Sequence, residues 1–133
     1  MIIAIDFDGT CVSHEYPKVG NDVPNCVNVL KKLIECNHKL MLWTMRGDKP
    51  HEGVNTLKDA VNWFKNRDIE LWGINENPEQ KEKKWSNSNK QYAQLYIDDA
   101  ALGCPLSYPG ENPRPYVDWY KVETILKAKN IIL

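Results

Sequence analysis

Two short apolar segments of the chain run directly into acidic residues, and this pattern constrains the fold more than any other feature. Met1–Ile5 (MIIAI) leads into Asp6, and Gln94–Ile97 (QLYI) leads into Asp98. A short apolar run without alternation is typical of a strand buried on both faces of a parallel sheet. Because the carboxyl ends of parallel strands meet at one edge of their sheet, we expect these acidic residues to lie at a common edge.

Strand and helix patterns alternate along the rest of the chain. Lys39–Thr44 and Glu70–Ile74 are predicted to be further buried strands, and the polar residues Asn75–Asn89 to be a loop or a short exposed helix. The residues predicted to form the apolar stripes of three helices are Val27, Leu30 and Ile34, then Val54, Leu57, Val61 and Phe64, and last Trp119, Val122 and Leu126. The alternation predicts a doubly wound α/β domain, with a parallel sheet and helices on both faces.

Length and composition fit a single globular domain over residues 1–133. The chain is 42% hydrophobic and 26% charged, and its formal net charge of -1 gives no indication of a nucleic-acid or membrane-surface partner. No apolar run approaches the ~20 residues of a membrane span, and Asp6 and Asp8 interrupt the apolar start, which argues against a signal peptide. The four cysteines have no CxxC pair, so we expect reduced thiols and a cytoplasmic protein.

The acidic residues at the strand ends predict a cation site. Asp6, Asp8, Asp98 and Asp99 follow two strands, and Thr44 ends a third. Like charges packed together raise one another's pKa or require a counterion, and ligands that are all oxygen atoms select a hard cation such as Mg²⁺. The alternative is that some of these aspartates cap helices or lie in solvated turns. The three histidines, which have no second His or Cys at zinc-ligand spacing, are expected to be structural or exposed: His14, His38 and His51.

These residues resemble the motifs of the haloacid dehalogenase (HAD) superfamily of phosphohydrolases. The matching features are DFDGT after the first strand, a strand that ends in Thr, a later Lys, and a strand that ends in DD. The segments LWTMRG, GINENP and YIDDAALG are similar to those of the small capless branch of HAD-like hydrolases. The resemblance spans nearly the whole chain and implies a Rossmann-like core without a cap domain. It also implies a Mg²⁺-dependent phosphatase that hydrolyses a phosphate monoester.

The resemblance implies a role for each acidic residue. Asp6 would attack phosphorus and become an aspartyl-phosphate, and Asp8 would act as general acid and then as general base. The metal ligands would be Asp6, Asp98 and, through its backbone carbonyl, Asp8. Asp99 would orient a ligand of the metal.

Phosphate binding is expected from the segment after the second predicted strand and from one lysine. Thr44 would donate a hydroxyl hydrogen bond, and the backbone amides of Met45 and Arg46 would add donors. The Arg46 side chain would either clamp the phosphate or cap the turn. Lys90, eight residues before Asp98, is the candidate phosphate-binding lysine. Other lysines in the same polar segment leave this choice open: Lys81, Lys83 and Lys84.

The absence of a predicted cap leaves the site open, which suits a bulky phosphorylated substrate. A partner subunit, possible in a homo-oligomer, would also cover such a site. Two other functions stay open. One is a receiver-like signalling domain, although receivers place their paired acids after the first strand and a single phosphoacceptor after a later one. The other is a non-catalytic binding protein with the HAD fold.

Overall fold

The chain folds around a parallel sheet in the computed structural model, which describes residues 1–110 and 114–133. The first half of the chain forms β1 (Ile2–Ile5), α1 (Cys26–Glu35), β2 (Lys39–Leu42) and α2 (Thr56–Lys65). The second half forms β3 (Gly73–Ile74), α3 (Pro78–Glu82), β4 (Leu95–Ile97), β5 (Leu106–Ser107), β6 (Tyr116–Val117) and α4 (Trp119–Ala128). The short α3 lies inside the polar segment that was predicted to be a loop or a short helix.

The parallel sheet has the strand order β3-β2-β1-β4. The chain moves outward from β1 through β2 to β3 and then crosses back to place β4 on the other side of β1. β1 therefore pairs in parallel with both neighbours, with Ile5 opposite Leu42 on one side and Ile97 on the other. Strand order reverses between β1 and β4, and ligands of such sheets bind at the carboxyl ends of the strands beside that reversal.

Helices cover both faces of the sheet, which confirms the predicted α/β fold. One face packs Ile3, Ile5 and Leu42 against the long helices α1, α2 and α4 in one continuous core. The other face carries a smaller cluster, including Ala4 and Met41. Because right-handed crossovers place α3 on the side opposite α1 and α2, this second face is covered by a helix of only 5 residues and the segment that follows it. The second face therefore has the thinner cover.

The buried stripes of the helices differ in part from the predicted ones. Of the residues predicted to form the apolar stripe of α1, only Leu30 is fully buried. The helix turns a neighbouring stripe of its surface toward the core. The buried residues of α1 are Cys26, Val29, Leu30 and Leu33. In α2 the side chain of Asn55 caps the helix by accepting a bond from the Lys58 amide, so Val54 lies before the helix and is exposed. The predicted stripe of α4 is confirmed: Trp119, Val122 and Leu126.

The antiparallel pair β5 and β6 was not predicted, because proline-rich sequence is unfavourable for strands. The connection that holds it includes residues 111–113, which lie outside the described residues. The amide of Val117 in β6 donates to the carbonyl of Gly9, with an N···O distance of 3.0 Å. This bond anchors the acidic loop after β1. In the part of the chain that the structure describes, no helix is long and apolar enough to cross a bilayer.

Candidate functional site

Three carboxylates meet at the carboxyl edge of the sheet. Asp6 follows β1, and Asp98 and Asp99 follow β4. One oxygen of each lies within 4.8 Å of the other two. Pairing of Ile5 with Ile97 and a 3.0 Å bond from the Asp6 amide to the Ile97 carbonyl place the following residues side by side. The sheet thus brings together acids that are more than ninety positions apart, at the point where strand order reverses. We call Asp6, Asp98 and Asp99 the carboxylate cluster.

Thr10 joins the two loops that carry the carboxylate cluster. Its hydroxyl donates to Oδ2 of Asp6 at 2.9 Å and accepts from the backbone amide of Asp99 at 3.2 Å. The Thr10 side chain is fully buried, and its carbonyl accepts a 2.7 Å bond from the Trp119 indole. The Thr of DFDGT therefore fixes the distance between the ends of β1 and β4.

The carboxylate cluster holds more negative charge than its surroundings neutralise. The pKa of Asp6 is raised to about 8, chiefly by burial, then by a hydrogen bond with Asp99 and the charge of Asp98, while the Thr10 hydroxyl acts in the opposite direction. Burial also raises the pKa of Asp98, and the adjacent Asp99 adds to this. A bound cation would offset this repulsion, and its ligands would all be hard oxygen atoms.

His14 contacts the carboxylate cluster, although sequence reasoning treated it as isolated. Its Nε2 lies 2.9 Å from Oδ2 of Asp99, and the side chain is 12% exposed. Gly9 makes this contact possible, because a Cβ at that position would lie 2.0 Å from the His14 Nε2. Gly9 also has a φ of 80°, which favours glycine. No local sequence pattern identifies this contact, because it depends on how the chain folds back over Gly9.

Asp8 pairs with Arg46 and does not join the carboxylate cluster. The guanidinium forms a two-point fork, with Nε 2.8 Å from Oδ2 of Asp8 and Nη2 2.8 Å from Oδ1. Asp8 is absent from the group of carboxylates that converge among the described residues, so its predicted contribution to a metal would come from its backbone carbonyl.

The Arg46 side chain is not placed for its predicted contact with a substrate phosphate. It is only 1% exposed, and its N–H donors are used within the protein. Besides Asp8, it donates to the carbonyls of Pro17, Lys18 and Thr56. Its guanidinium carbon lies 5.0 Å from the centre of the Phe7 ring and 5.2 Å from that of Tyr16. The side chain ties residues 13–21, which we call the flap, to α2 and to the loop after β1. In this conformation it has no donor left for a phosphate.

The segment after β2 lies beside the end of β1 and is held by Asn75. The Asn75 side chain accepts from the Thr44 amide at 2.8 Å and donates to the Arg46 carbonyl at 3.2 Å. The Thr44 hydroxyl accepts from the Arg46 amide at 3.1 Å, which leaves its own O–H able to donate elsewhere. The Met45 side chain is fully exposed at this edge. Thr44 and Met45 therefore lie on the predicted edge.

Lys90 is not brought to the carboxylate cluster. β4 is only 3 residues long, so Lys90 lies five positions before it, toward the amino edge of the sheet. Its ammonium lies 5.9 Å from the centre of the Tyr96 ring and, among the described residues, forms no ion pair with the cluster. Two of the alternative lysines pair with local carboxylates: Lys81 with Glu76 and Lys83 with Glu79.

Comparison with known proteins found one strong similarity. No protein-family model and no curated protein matches the chain. A solved structure of a conserved protein from Bacteroides thetaiotaomicron matches with 34% sequence identity and a TM-score of 0.74. The match covers 97% of this chain and 91% of that one. The similarity therefore extends over nearly the whole chain.

Proposed function

We propose that this chain, which belongs to the same family as the conserved Bacteroides thetaiotaomicron protein, is a Mg²⁺-dependent phosphatase that hydrolyses phosphate monoesters through a phosphorylated Asp6. The observation that carries the proposal is the convergence of Asp6, Asp98 and Asp99 within 4.8 Å at the carboxyl ends of β1 and β4. The HAD-like motifs support it, because DFDGT and the DD doublet supply these carboxylates. The three carboxylates are partly buried and crowded together, unlike those of a fully exposed acidic patch.

The residues of the carboxylate cluster fit Mg²⁺. Asp6, Asp98 and the Asp8 backbone carbonyl would hold the ion, and the bond from His14 would keep Asp99 oriented toward them. When bound, the ion would offset the repulsion among the carboxylates and between Asp6 and an incoming phosphate dianion. Softer metals are less well suited, because the ligand atoms that converge within 4.8 Å of one another in the described part of the chain are carboxylate oxygens, and His14 contacts Asp99 without joining that group.

The first step is an in-line displacement by Asp6. A carboxylate oxygen of Asp6 forms a bond to phosphorus while the bond from phosphorus to the leaving oxygen breaks, and Asp8 gives that oxygen a proton. In the second step water attacks the aspartyl-phosphate, Asp8 takes the proton from the water, and inorganic phosphate leaves. General acid and base catalysis of this kind contributes about 10²- to 10⁴-fold in rate.

The Asp8–Arg46 pair bears directly on this assignment. Both Asp8 carboxyl oxygens accept from the Arg46 guanidinium, so the Asp8 carboxyl would have to leave this fork to reach a leaving oxygen. Arg46 also holds the flap through Pro17 and Lys18, so loosening the pair and moving the flap are expected to occur together. Arg46 is thus a positioning residue for Asp8, and we expect substrate entry at the flap to release the acid.

The remaining contacts would come from Thr44, the Met45 amide and Lys90. Thr44 is well placed to donate its O–H toward a phosphoryl oxygen, whereas Lys90 would have to swing from Tyr96 toward the cluster. The uncapped edge suits a substrate with a large leaving group. The cysteines are free thiols, in keeping with action in the reducing cytoplasm.

The experiment that tests the proposal is hydrolysis of p-nitrophenyl phosphate by the purified protein. We expect turnover with Mg²⁺, loss of turnover in EDTA that Mg²⁺ restores, and no turnover by Asp6→Asn. The matched control is Asp68→Asn, an exposed residue after α2 at the opposite edge of the sheet, which should keep full activity. Stable phosphorylation of Asp6 without hydrolysis would replace the proposal with the receiver-like function. Neither phosphorylation nor hydrolysis would favour the binding protein.

A further inference from the structure

β4 forms one edge of the parallel sheet. In the strand order β3-β2-β1-β4 it pairs with β1 on one side, and no other described strand pairs with its outer side. An unpaired strand edge can pair with another chain, so soluble proteins usually shorten, charge or cover such edges. β4 is only 3 residues long, but none of its residues is charged. Charge within the strand therefore does not protect this edge from pairing.

Two hollows flank β4, one on each face of the sheet. The α3 hollow has a volume of about 680 Å³, and its walls include Trp85 and Tyr92. The α4 hollow has a volume of about 200 Å³ and lies between β4 and residues of α4 such as Ile125. Tyr96 of β4 lines both hollows, and no residue of β1 lines either of them. Both hollows therefore lie at the outer side of β4 and not over the middle of the sheet.

Large apolar side chains are exposed at the two hollows. At the α4 hollow Leu102 is fully exposed and Ile125 is 42% exposed. At the α3 hollow Trp85 and Tyr92 are 47% and 48% exposed. Together these four side chains expose roughly 450 Å². A stable interface buries about 800 Å² on each partner, of which somewhat more than half is apolar, so this exposed area matches one side of a stable dimer.

The charges around β4 favour a second copy of this chain as the partner. Among the residues that line the two hollows, all of which the structure describes, Lys90 is the one charged residue. It lies before the amino end of β4, whereas the carboxylate cluster lies at the carboxyl end. When two β4 strands pair antiparallel about a two-fold axis, the amino end of each lies beside the carboxyl end of the other. The lysine of each copy then lies on the side of the other copy's acidic cluster, so the surface is complementary to itself in charge.

We propose that the chain forms a symmetric dimer through the outer edge of β4, with two antiparallel β4 strands joining the sheets of the two copies. A two-fold axis perpendicular to the sheet keeps each face on its own side. The α4 hollow of one copy therefore meets that of the other, with Leu102 between them, and the two α3 hollows meet on the opposite face. This inference does not depend on the proposed reaction.

Sedimentation equilibrium of the purified chain, from about 1 to about 200 µM, tests the proposal. We expect the mass to approach twice the 15.4 kDa of one chain as the concentration rises. Leu102→Glu places a charge in the apolar interface of each copy and should weaken association by at least about tenfold. The matched control is Leu133→Glu, which changes an equally exposed leucine that lines neither hollow and should leave the dissociation constant unchanged.

Two further variants test the other face of the sheet and the direction of the strands. Trp85→Ala removes an exposed ring from the α3 hollow and should weaken association by at least about threefold. Lys90→Glu should also weaken association, because the new charge repels the acidic cluster of the second copy, and the effect should become smaller as the salt concentration rises. Urea denaturation checks that each variant is as stably folded as the wild type.

Each other outcome would contradict a stated part of the proposal. A monomeric mass at every concentration would rule out the dimer. A dimer that neither Leu102→Glu nor Trp85→Ala weakens would mean that the copies associate through a different surface. If these two variants weaken the dimer and Lys90→Glu does not, the strands are not antiparallel. Hydrolysis of p-nitrophenyl phosphate is measured separately, so failure of the dimer and failure of the proposed phosphatase can be distinguished.

Discussion

Replacing Asp6 by Asn should stabilise the metal-free protein, and increasingly so as the pH rises. The pKa of Asp6 is about 8 in the folded protein, against 3.8 for an ordinary Asp side chain. A carboxyl group whose pKa is raised on folding contributes stability that is fully present below about pH 4 and is lost as the pH rises toward about 8. Asn carries no charge in the folded or the unfolded state, so the variant does not lose stability in this way as the pH rises. Its side-chain oxygen can still accept the bond from the Thr10 hydroxyl.

The size of the effect follows from the two pKa values. One pKa unit corresponds to about 1.4 kcal/mol, and between about pH 5 and about pH 7.5 the loss amounts to about 3 kcal/mol if Asp6 titrates alone. Protons shared with Asp98 and Asp99, and water that enters the cluster, spread part of this cost over the three carboxyl groups. We therefore expect the unfolding free energy of Asp6→Asn to gain about 2 kcal/mol on the wild type over this pH range.

Urea denaturation in EDTA at several pH values measures this difference directly. The difference between the variant and the wild type is the informative quantity, because contributions from groups far from Asp6 cancel in it. Asp68→Asn, an exposed substitution, should follow the wild type at every pH. Saturating Mg²⁺ should then stabilise the wild type more than Asp6→Asn. A difference that does not change with pH would refute the reasoning, because it would mean that Asp6 is already ionised in the metal-free fold.

Three further predictions concern side chains around the cluster. Arg46→Ala leaves the Asp8 carboxylate partly buried without its partner and should lower the unfolding free energy by about 3 to 5 kcal/mol in urea denaturation; equal stability would mean that the pair contributes nothing. Gly9→Ala should cost about 1 to 3 kcal/mol, because the new Cβ clashes with His14, and His14→Ala should recover part of that loss in the double variant. Trp119→Phe removes the indole bond to the Thr10 carbonyl and should cost about 1 to 3 kcal/mol, with weaker Mg²⁺ binding by calorimetry.

Much of the fold could be predicted because it depends on local patterns. The apolar strands before Asp6 and Asp98 and the stripe of α4 are visible as runs and periodicities, and they were placed correctly. The buried stripe of α1 was harder to predict, because two neighbouring faces of the helix have similar hydropathy. Only the packing of the helix on the sheet decides which face is buried. The pair β5 and β6 was missed for a related reason, since its pairing depends on contacts with the loop at Gly9 rather than on strand propensity.

Only those residues of the site that directly follow a strand could be predicted from the sequence. The convergence of Asp6 with Asp98 follows from parallel pairing, whereas the contact of His14 with Asp99 depends on how the flap folds back over Gly9. The position of Lys90 shows the same limit. Its spacing from Asp98 matched a motif, but the short β4 leaves it beside Tyr96. The spacing of a motif tells how far apart two residues lie along the chain. The direction in which a long side chain such as that of Lys90 extends depends on the residues packed around it.

The two acids of DFDGT have opposite electrostatic surroundings, which supports giving them different roles in the proposed reaction. Burial and then the neighbouring carboxylates raise the pKa of Asp6, so in the proposed reaction it would need a cation before acting as an anionic nucleophile. Asp8, two residues on, lies against a buried guanidinium, so it already has a counter-charge. If the two roles were exchanged, the nucleophile would be Asp8, which is paired with arginine, and the proton donor would be Asp6, which would bind the metal ion. Because Arg46 also holds the flap, we propose that release of the Asp8 carboxyl from Arg46 and movement of the flap occur together.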